Sequence, residues 1–410
     1  MGIEWKAAKL NELGFVGRGK SRHRPRNAAS LYGGPYPFFQ TGDIKAANCF
    51  LTEFSQTYSE AGLAQSKLWK PGTLCITIAA NIAETAILGV EGCFPDSVVG
   101  FTADPEKSDV RFIKYYIDTI KLQMQSVSRG TTQDNLSLDK LLRFDLVVPY
   151  LAEQRRIANI LSAYDELIEN SQRRIRILES MARALYREWF VEFRFPGHEN
   201  HRMVDSALGK IPEGWDTKTV GDSFEISGGG TPSRKEPGYW ENGNIRWFAP
   251  SDLTGAGTMF MDDSSDHINE LGLAKSSARM FPAYSVMLTS RATIGATSIN
   301  TREACTNQGF ITCIPNDDVP LYFLFHWVTE NVPTFQRLAS GATFKEISRG
   351  VFKTIKLIRP PETLVRRFEG AVAPMAEQAL ALQRKVQNLR RTRDLLLPRL
   401  LSGQIHVGGE

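Results

Sequence analysis

The sequence has little with which to do chemistry. Its 410 residues hold five cysteines (Cys49, Cys75, Cys93, Cys305 and Cys313), an odd number without a C-x-x-C pair. That spacing offers neither a disulfide framework nor a thiolate zinc site, and it fits a reducing, cytoplasmic compartment. No uncharged apolar run approaches the roughly 20 residues that cross a bilayer. Residues 1–13 lack the basic-then-apolar order of an export signal, so no membrane association is expected. Charge of one sign is scarce as well. Lys and Arg number 49 against 45 Asp and Glu, a net +4 that is spread evenly, so any basic surface must be local.

Motifs that look catalytic fail on context. Gly14-Phe15-Val16-Gly17-Arg18-Gly19-Lys20-Ser21 matches G-x-x-x-x-G-K-[ST], the phosphate-cradling loop of nucleotide hydrolases. That chemistry needs a buried strand before the loop and a helix after it, so that amides converge on phosphate. Lys9-Leu10-Asn11-Glu12-Leu13 is a poor buried strand, and Arg22-His23-Arg24-Pro25-Arg26-Asn27 opens no helix. His198 and His201, with Glu199 between them, lie in a linker without a third ligand, so no metal site is expected. No Asn/Asp-Pro-Pro-aromatic methyltransferase motif is present, since Arg359-Pro360-Pro361-Glu362 is not one, and Pro95-Asp96 does not lead to the acidic-x-Lys that completes a common nuclease site. A non-catalytic chain with no cofactor or metal of its own is the expectation.

What the sequence does contain is a copy of itself. Arg129-Gly130-Thr131-Thr132-Gln133-Asp134-Asn135-Leu136-Ser137 aligns with the segment from Ser340 to Ser348, 211 residues on. The register then runs through Leu146-Val147-Val148-Pro149 against Leu357-Ile358-Arg359-Pro360. At an offset of 210, Trp5 meets Trp215 and Gly62-Leu63-Ala64 meets Gly272-Leu273-Ala274. At 212, Thr77, Ile82, Thr85 and Cys93 meet Thr289, Ile294, Thr297 and Cys305. Single-residue drift in the offset is what loop insertions between two copies of one fold produce. Within each copy, short β-type runs alternate with Gly/Pro/Asn/Ser punctuation, as in an α+β domain.

A heptad stripe closes each copy. The first reads Ile157, Leu161, Tyr164, Ile168, Ser171, Ile175, Leu178, Ala182, Leu185, Trp189. The second reads Phe368, Val372, Met375, Ala379, Leu382, Val386, Leu389, Arg393, Leu396, Leu400. Such narrow stripes bury well against another helix and poorly against a broad sheet. The expected architecture is therefore α+β, with two similar domains separated by two long antiparallel helices and related by an internal pseudo-two-fold duplication. Its segments are 1–150 (first domain), 151–195 (central helical spacer), 196–361 (second domain) and 362–410 (C-terminal helical spacer). Pro374 predicts a kink or restart in the second helix, and Pro398 predicts its end.

Candidate nucleic-acid contacts are local clusters. Arg18, Lys20, Arg22, Arg24 and Arg26 crowd one Gly-rich loop of the first copy, where they can neutralise phosphates or read guanine. The matching region of the second copy offers Thr231, Ser233, Arg234 and Lys235. A second polar patch, Arg129, Thr131, Thr132, Gln133 and Asn135, is matched by Ser340, Thr343 and Lys345. Arg291 and Asn307-Gln308 complete the set for the second domain. Gln and Asn can read adenine, and Thr can bond phosphate or touch a thymine methyl.

Several runs resemble a known family. Ile211-Pro212-Glu213-Gly214-Trp215, Gly228-Gly229-Gly230-Thr231-Pro232, Tyr239-Trp240, Ile245-Arg246-Trp247, Thr293-Ile294-Gly295 and Thr306-Asn307-Gln308-Gly309-Phe310 resemble a target-recognition domain. So does Tyr36-Pro37-Phe38-Phe39-Gln40-Thr41-Gly42-Asp43-Ile44. With the ending from Arg393 to Gly403, the whole chain resembles the specificity subunit of a type I restriction–modification system. The resemblance implies a sequence-specific subunit that reads a two-part asymmetric site in double-stranded DNA. It also implies modification subunits that bring S-adenosylmethionine, restriction subunits that bring ATP and Mg, and helices that dock the modification subunits as well as space the domains. Pro232 and Thr306-Asn307-Gln308-Gly309 lack close equivalents in the first copy, so contacts do not transfer between copies. Two other classes compete: a stand-alone duplicated DNA-binding regulator, and a nucleotide hydrolase using Gly14–Ser21.

Overall fold

The computed structural model describes residues 5–128, 136–341 and 343–407. The chain divides into two compact units, Met1–Gln172 with Lys385–Glu410, and Arg173–Arg384. Each is built on a five-stranded sheet of the same order. In the first unit that order is Gly14–Arg18, Val98–Ala103, Leu74–Thr77, Thr85–Leu88, Phe50–Leu51. In the second it is Glu225–Gly228, Phe310–Ile314, Val286–Thr289, Thr297–Asn300, Phe260–Met261. Neighbouring strands are antiparallel except the last, which joins in parallel in both units. Leu-Cys-Ile-Thr and Val-Met-Leu-Thr leave their strands no charged face, and both middle strands are buried along their whole length.

The smaller pairings repeat too. Trp5–Ala8 pairs with Leu146–Pro149, and Asp216–Thr219 with Lys356–Arg359. Tyr32–Phe38 pairs with Gln56–Tyr58, and Ile245–Phe248 with Asp266–Ile268. In the second unit Ala304–Thr306 adds a parallel strand to this last pair; in the first, that strand is reduced to a bridge between Phe38 and Cys93.

The residues that carried the repeat in sequence hold the same turns in space. The Thr77 hydroxyl accepts the Glu84 N–H at 2.9 Å, and Thr289 accepts the Ala296 N–H at 2.9 Å. Ala80 and Ala292, 212 residues apart, both sit in the left-handed region at φ 62° and 60°, a conformation that costs a non-glycine residue about 1 kcal/mol or more. Ser59 and Asn269 cap the short helices Glu60–Ala64 and Glu270–Ala274 by accepting from Gly62 and Gly272. A Cβ at Gly62 would fall 2.3 Å from the Leu31 carbonyl oxygen, and one at Gly272 2.6 Å from that of Tyr239. The matched glycines mark close approach of two chain segments.

The first long helix spans Leu151–Tyr186 and continues as a π-helical turn, Arg187–Val191; the second spans Glu362–Leu401. Their heptad positions turn inward. Ile157, Leu161, Ile168, Phe368, Val372, Leu382 and Val386 are buried, while Tyr164, Ile175, Leu178, Leu185, Met375, Leu389 and Leu396 are half-buried. In the first unit Asp165 binds Arg393, and Ile157 and Leu161 share a core with Leu400 and Leu401. In the second unit Phe190 and Trp189 pack on Phe368, with ring centroids 5.1 and 6.1 Å apart. Early turns of each helix thus meet late turns of the other, which makes the pair antiparallel.

Two expectations need correction. The stripes do not meet each other alone, because they also enter the domain cores: Ile157 and Leu161 share one with Phe112 and Ile113, and Phe368 and Val372 share the other with Phe323 and Leu324. The domain face that receives them is itself a helix (Val110–Thr119 or Leu321–Glu330), not a broad sheet, so a narrow stripe fits it. Nor does the second helix break at Pro374 or stop at Pro398. Pro374 is exposed, and the residue four back is the exposed Gly370, whose lost hydrogen bond water can replace. The helix ends at Leu401, where Gly403 (φ +72°) supplies the left-handed stop.

Candidate nucleic-acid interface

The loop Gly14–Ser21 is not a phosphate cradle. Gly14–Arg18 is an edge strand paired with Val98–Ala103, and beyond it the Gly19 and Lys20 N–H groups donate to the Val98 and Phe94 carbonyls. Those amides face the protein, and no helix follows. A Cβ at Gly19 would lie 2.2 Å from the Pro95 carbonyl oxygen, so only glycine lets this loop lie against residues 94–96.

The five basic side chains of the loop divide into two groups. Arg18 donates to the Asp96 carbonyl, and Arg26 binds the Asp96 carboxylate at 3.0 Å. Arg24 donates to the carbonyls of Ser21 and His23 at 2.8 Å. Lys20 and Arg22 are exposed, and among the described residues their side chains meet no carboxylate. Gln65 holds the backbone here, its side-chain oxygen accepting from Arg22 and His23 N–H at 2.6 and 3.0 Å. Sequence reasoning missed Lys67, two residues further on, whose ammonium lies 3.5 Å from the centre of the Trp69 ring. Arg129, Thr131, Thr132, Gln133 and Asn135 lie outside the described residues.

In the second unit the equivalent loop leans on the equivalent neighbour with different chemistry. Gly230 N–H donates to the Thr306 carbonyl at 2.9 Å, and the Thr231 hydroxyl donates to the Gln308 side-chain oxygen at 2.6 Å. Cβ atoms at Gly229 and Gly230 would fall 2.1 Å from the Thr306 carbonyl oxygen and from the Ser277 hydroxyl. Gln308 stands where the first copy has Asp96. Next to it, Ser290 N–H donates to the Gly309 carbonyl and Ala292 N–H to that of Lys345. Thr231, Gln308, Arg291 and Lys345 are thereby linked loop to loop, with Arg291 3.7 Å from Glu346. Arg349, also missed in the sequence, lines the cleft these loops form. Thr343 is exposed. Ser233, Arg234 and Lys235 turn away onto the smaller sheet, where Arg234 stacks 3.6 Å above Trp240 and pairs with Asp266.

The His198 ring contacts the Phe195 carbonyl at 2.9 Å, and no group of potential metal ligands comes together among the described residues. Nor is any helix among them long and apolar enough to cross a membrane.

Two copies of one fold, presenting different side chains from matching loops, define a duplicated recognition protein. The chain belongs to the family of the type I restriction modification DNA specificity domain, whose model matches residues 2–180 and 212–363. It is 24% identical to the MjaIX type I restriction enzyme specificity subunit of Methanocaldococcus jannaschii over 98% of this chain and 94% of that one. Identity is also 24% to the HindI specificity subunit of Haemophilus influenzae, over 69% and 74% of the two chains. The fold matches that of a type I restriction–modification S subunit from M. genitalium with TM-score 0.64, at 16% identity, covering 97% and 96% of the chains. This membership favours the specificity-subunit expectation over a stand-alone regulator, and the strand at Gly14–Arg18 takes away the phosphate loop on which the nucleotide-hydrolase alternative relied.

Proposed function

We propose that this chain is the non-catalytic specificity subunit of a type I restriction–modification system, working in the cytoplasm. It reads a two-part asymmetric site in double-stranded DNA, one part with each domain. Modification subunits, bringing S-adenosylmethionine, and restriction subunits, bringing ATP and Mg, are directed to that site. The two long helices space the domains and dock the modification subunits. One observation carries the reading: equivalent loops meet equivalent neighbours in both units, yet Arg26 pairs with Asp96 in the first and Thr231 with Gln308 in the second. A duplicated scaffold with unlike reading residues is what an asymmetric target demands.

The test is to replace residues 1–150 with the counterpart from a relative and map methylated adenines in cells that supply the partner subunits. One half of the site changes and the other stays. A change in both halves together would refute independent reading.

A further inference from the structure

The first unit carries two lysines that its structure brings together and leaves without a counter-charge. Trp69 lies flat on the sheet edge because Gly17 and Gly100 leave it room: a Cβ at either would meet its ring at 2.9 or 2.7 Å. Its indole stacks on Phe94, with centroids 4.9 Å apart and planes within 19°. Backbone hydrogen bonds to Gly92, 2.9 and 3.1 Å, fix it from the far side. Above this platform the Lys67 ammonium sits 3.5 Å from the Trp69 centroid and 4.7 Å from that of Phe15, a residue 57% exposed. Two aromatic faces hold the cation in one place.

Lys20 is anchored beside it. Its N–H donates to Phe94, the ring under Trp69, and its carbonyl accepts the hydroxyl of Ser66, the residue before Lys67, at 2.9 Å. Partial burial and the nearby Lys20 charge both lower the Lys67 pKa. Among the described residues neither ammonium has a carboxylate partner. One ammonium is thus fixed on a rigid platform, beside a backbone-anchored residue that carries a second, an arrangement that an anion between them relieves.

We propose that Lys20 and Lys67 clamp a single backbone phosphodiester of double-stranded DNA, while Arg18 and Arg26 serve to hold Asp96. The proposal rests on the DNA-reading function above. The platform belongs to the first unit alone, since strand register puts Gly230 at the position of Lys20 and Glu225 at that of Phe15, with Arg279 for Lys67 and Phe281 for Trp69. Loop order is thereby prepaid before DNA arrives, which leaves less side-chain entropy to lose on binding.

The experiment measures binding of the full chain to a non-specific 30-base-pair duplex across a salt series, for wild type, Lys20→Gln, Lys67→Gln, Lys67→Arg and the double Gln variant. One shared phosphate means that either single Gln variant weakens binding yet keeps most of the slope of log affinity against log salt. The double variant makes that slope shallower by about 0.9, one phosphate contact. Lys67→Arg retains the slope and the cation–π contacts, and Lys20→Gln leaves the thermal unfolding midpoint level because that residue is exposed. An unchanged slope in the double variant, or a fall of about 1.8 from two separate contacts, overturns the clamp. Failure of the wild-type chain to bind the duplex at all would instead remove the DNA reading beneath it.

Discussion

Arg393→Ala should destabilise the first unit more than Asp165→Ala, although the two residues share one ion pair. Asp165 is nearly buried, its side chain 5% exposed, and it takes the Arg393 guanidinium and the Tyr115 hydroxyl. Arg393 is 24% exposed and also binds Asp394 at 2.8 Å. Removing the arginine therefore strands a buried carboxylate, which costs about 3–5 kcal/mol. Removing the aspartate leaves an arginine still paired and partly hydrated, and the loss falls to about 1–3 kcal/mol, chiefly one charged hydrogen bond and an unpaired Tyr115 hydroxyl. The copy in the second unit shows what replaces the pair: 211 residues away in each direction stand Ala376 and Ala182, both buried. The double variant Asp165→Ala/Arg393→Ala imitates that arrangement and should cost less than the sum of the singles, by about 2 kcal/mol. Urea unfolding of the four proteins, followed by a probe confined to the first unit, gives the cycle. Equal losses from the two single variants, or simple additivity, would refute the reasoning.

Two further outcomes follow from other parts of the molecule. Burial pushes the Glu369 carboxyl up to about 7, against the pull of the Phe323 and Tyr322 N–H groups it faces. A carboxyl with a raised folded pKa contributes stability at low pH that is lost as pH rises through 7. The second unit should weaken by on the order of 1 kcal/mol between pH 6.5 and 8, and Glu369→Gln should flatten that decline in denaturation midpoints; an unaltered decline would exonerate Glu369. His326, its pKa lowered to about 4 by burial and by Arg183, is neutral in the fold above pH 6.5, while its unfolded imidazole finishes titrating by about pH 7.5 and adds a smaller rise that Glu369→Gln leaves in place. Separately, inserting one heptad into both long helices at matched positions lengthens each by roughly 10 Å. Methylation mapping should then show both half-sequences unchanged and the unread gap longer by up to about three base pairs, with an unaltered gap counting against the helices as spacer.

The duplication was legible because its markers are residues with stringent local duties. Thr77 and Thr289 close a turn, Gly62 and Gly272 admit a crossing chain, and Cys93 and Cys305 fill core positions. Heptad spacing also disclosed which faces of the long helices turn inward. It could not disclose their second partner, because the helix Leu321–Glu330 is apolar almost all round and names no preferred face. The two prolines misled because propensity speaks for an isolated helix, whereas packing along 40 residues outweighs one missing hydrogen bond on the wet side. In the candidate interface, a count of arginines gave no hint that Asp96 engages two of them. Lys67 stood apart from the basic cluster in sequence, and only the Ser66 contact with Lys20 brings it there.

The second unit is one unbroken stretch of chain, whereas the first is closed by residues some two hundred positions downstream. During synthesis, therefore, the unit that emerges first is finished last. Until Leu400 and Leu401 arrive, Leu10, Ile157 and Leu161 have an open flank, and every nascent chain passes through a period with that apolar surface bare. A chain interrupted after the first long helix would keep the surface permanently, and another such half, carrying the same stripe, is the material best shaped to cover it. Loss of the last thirty residues is then a lesion of the first domain, and its symptom is association between truncated copies.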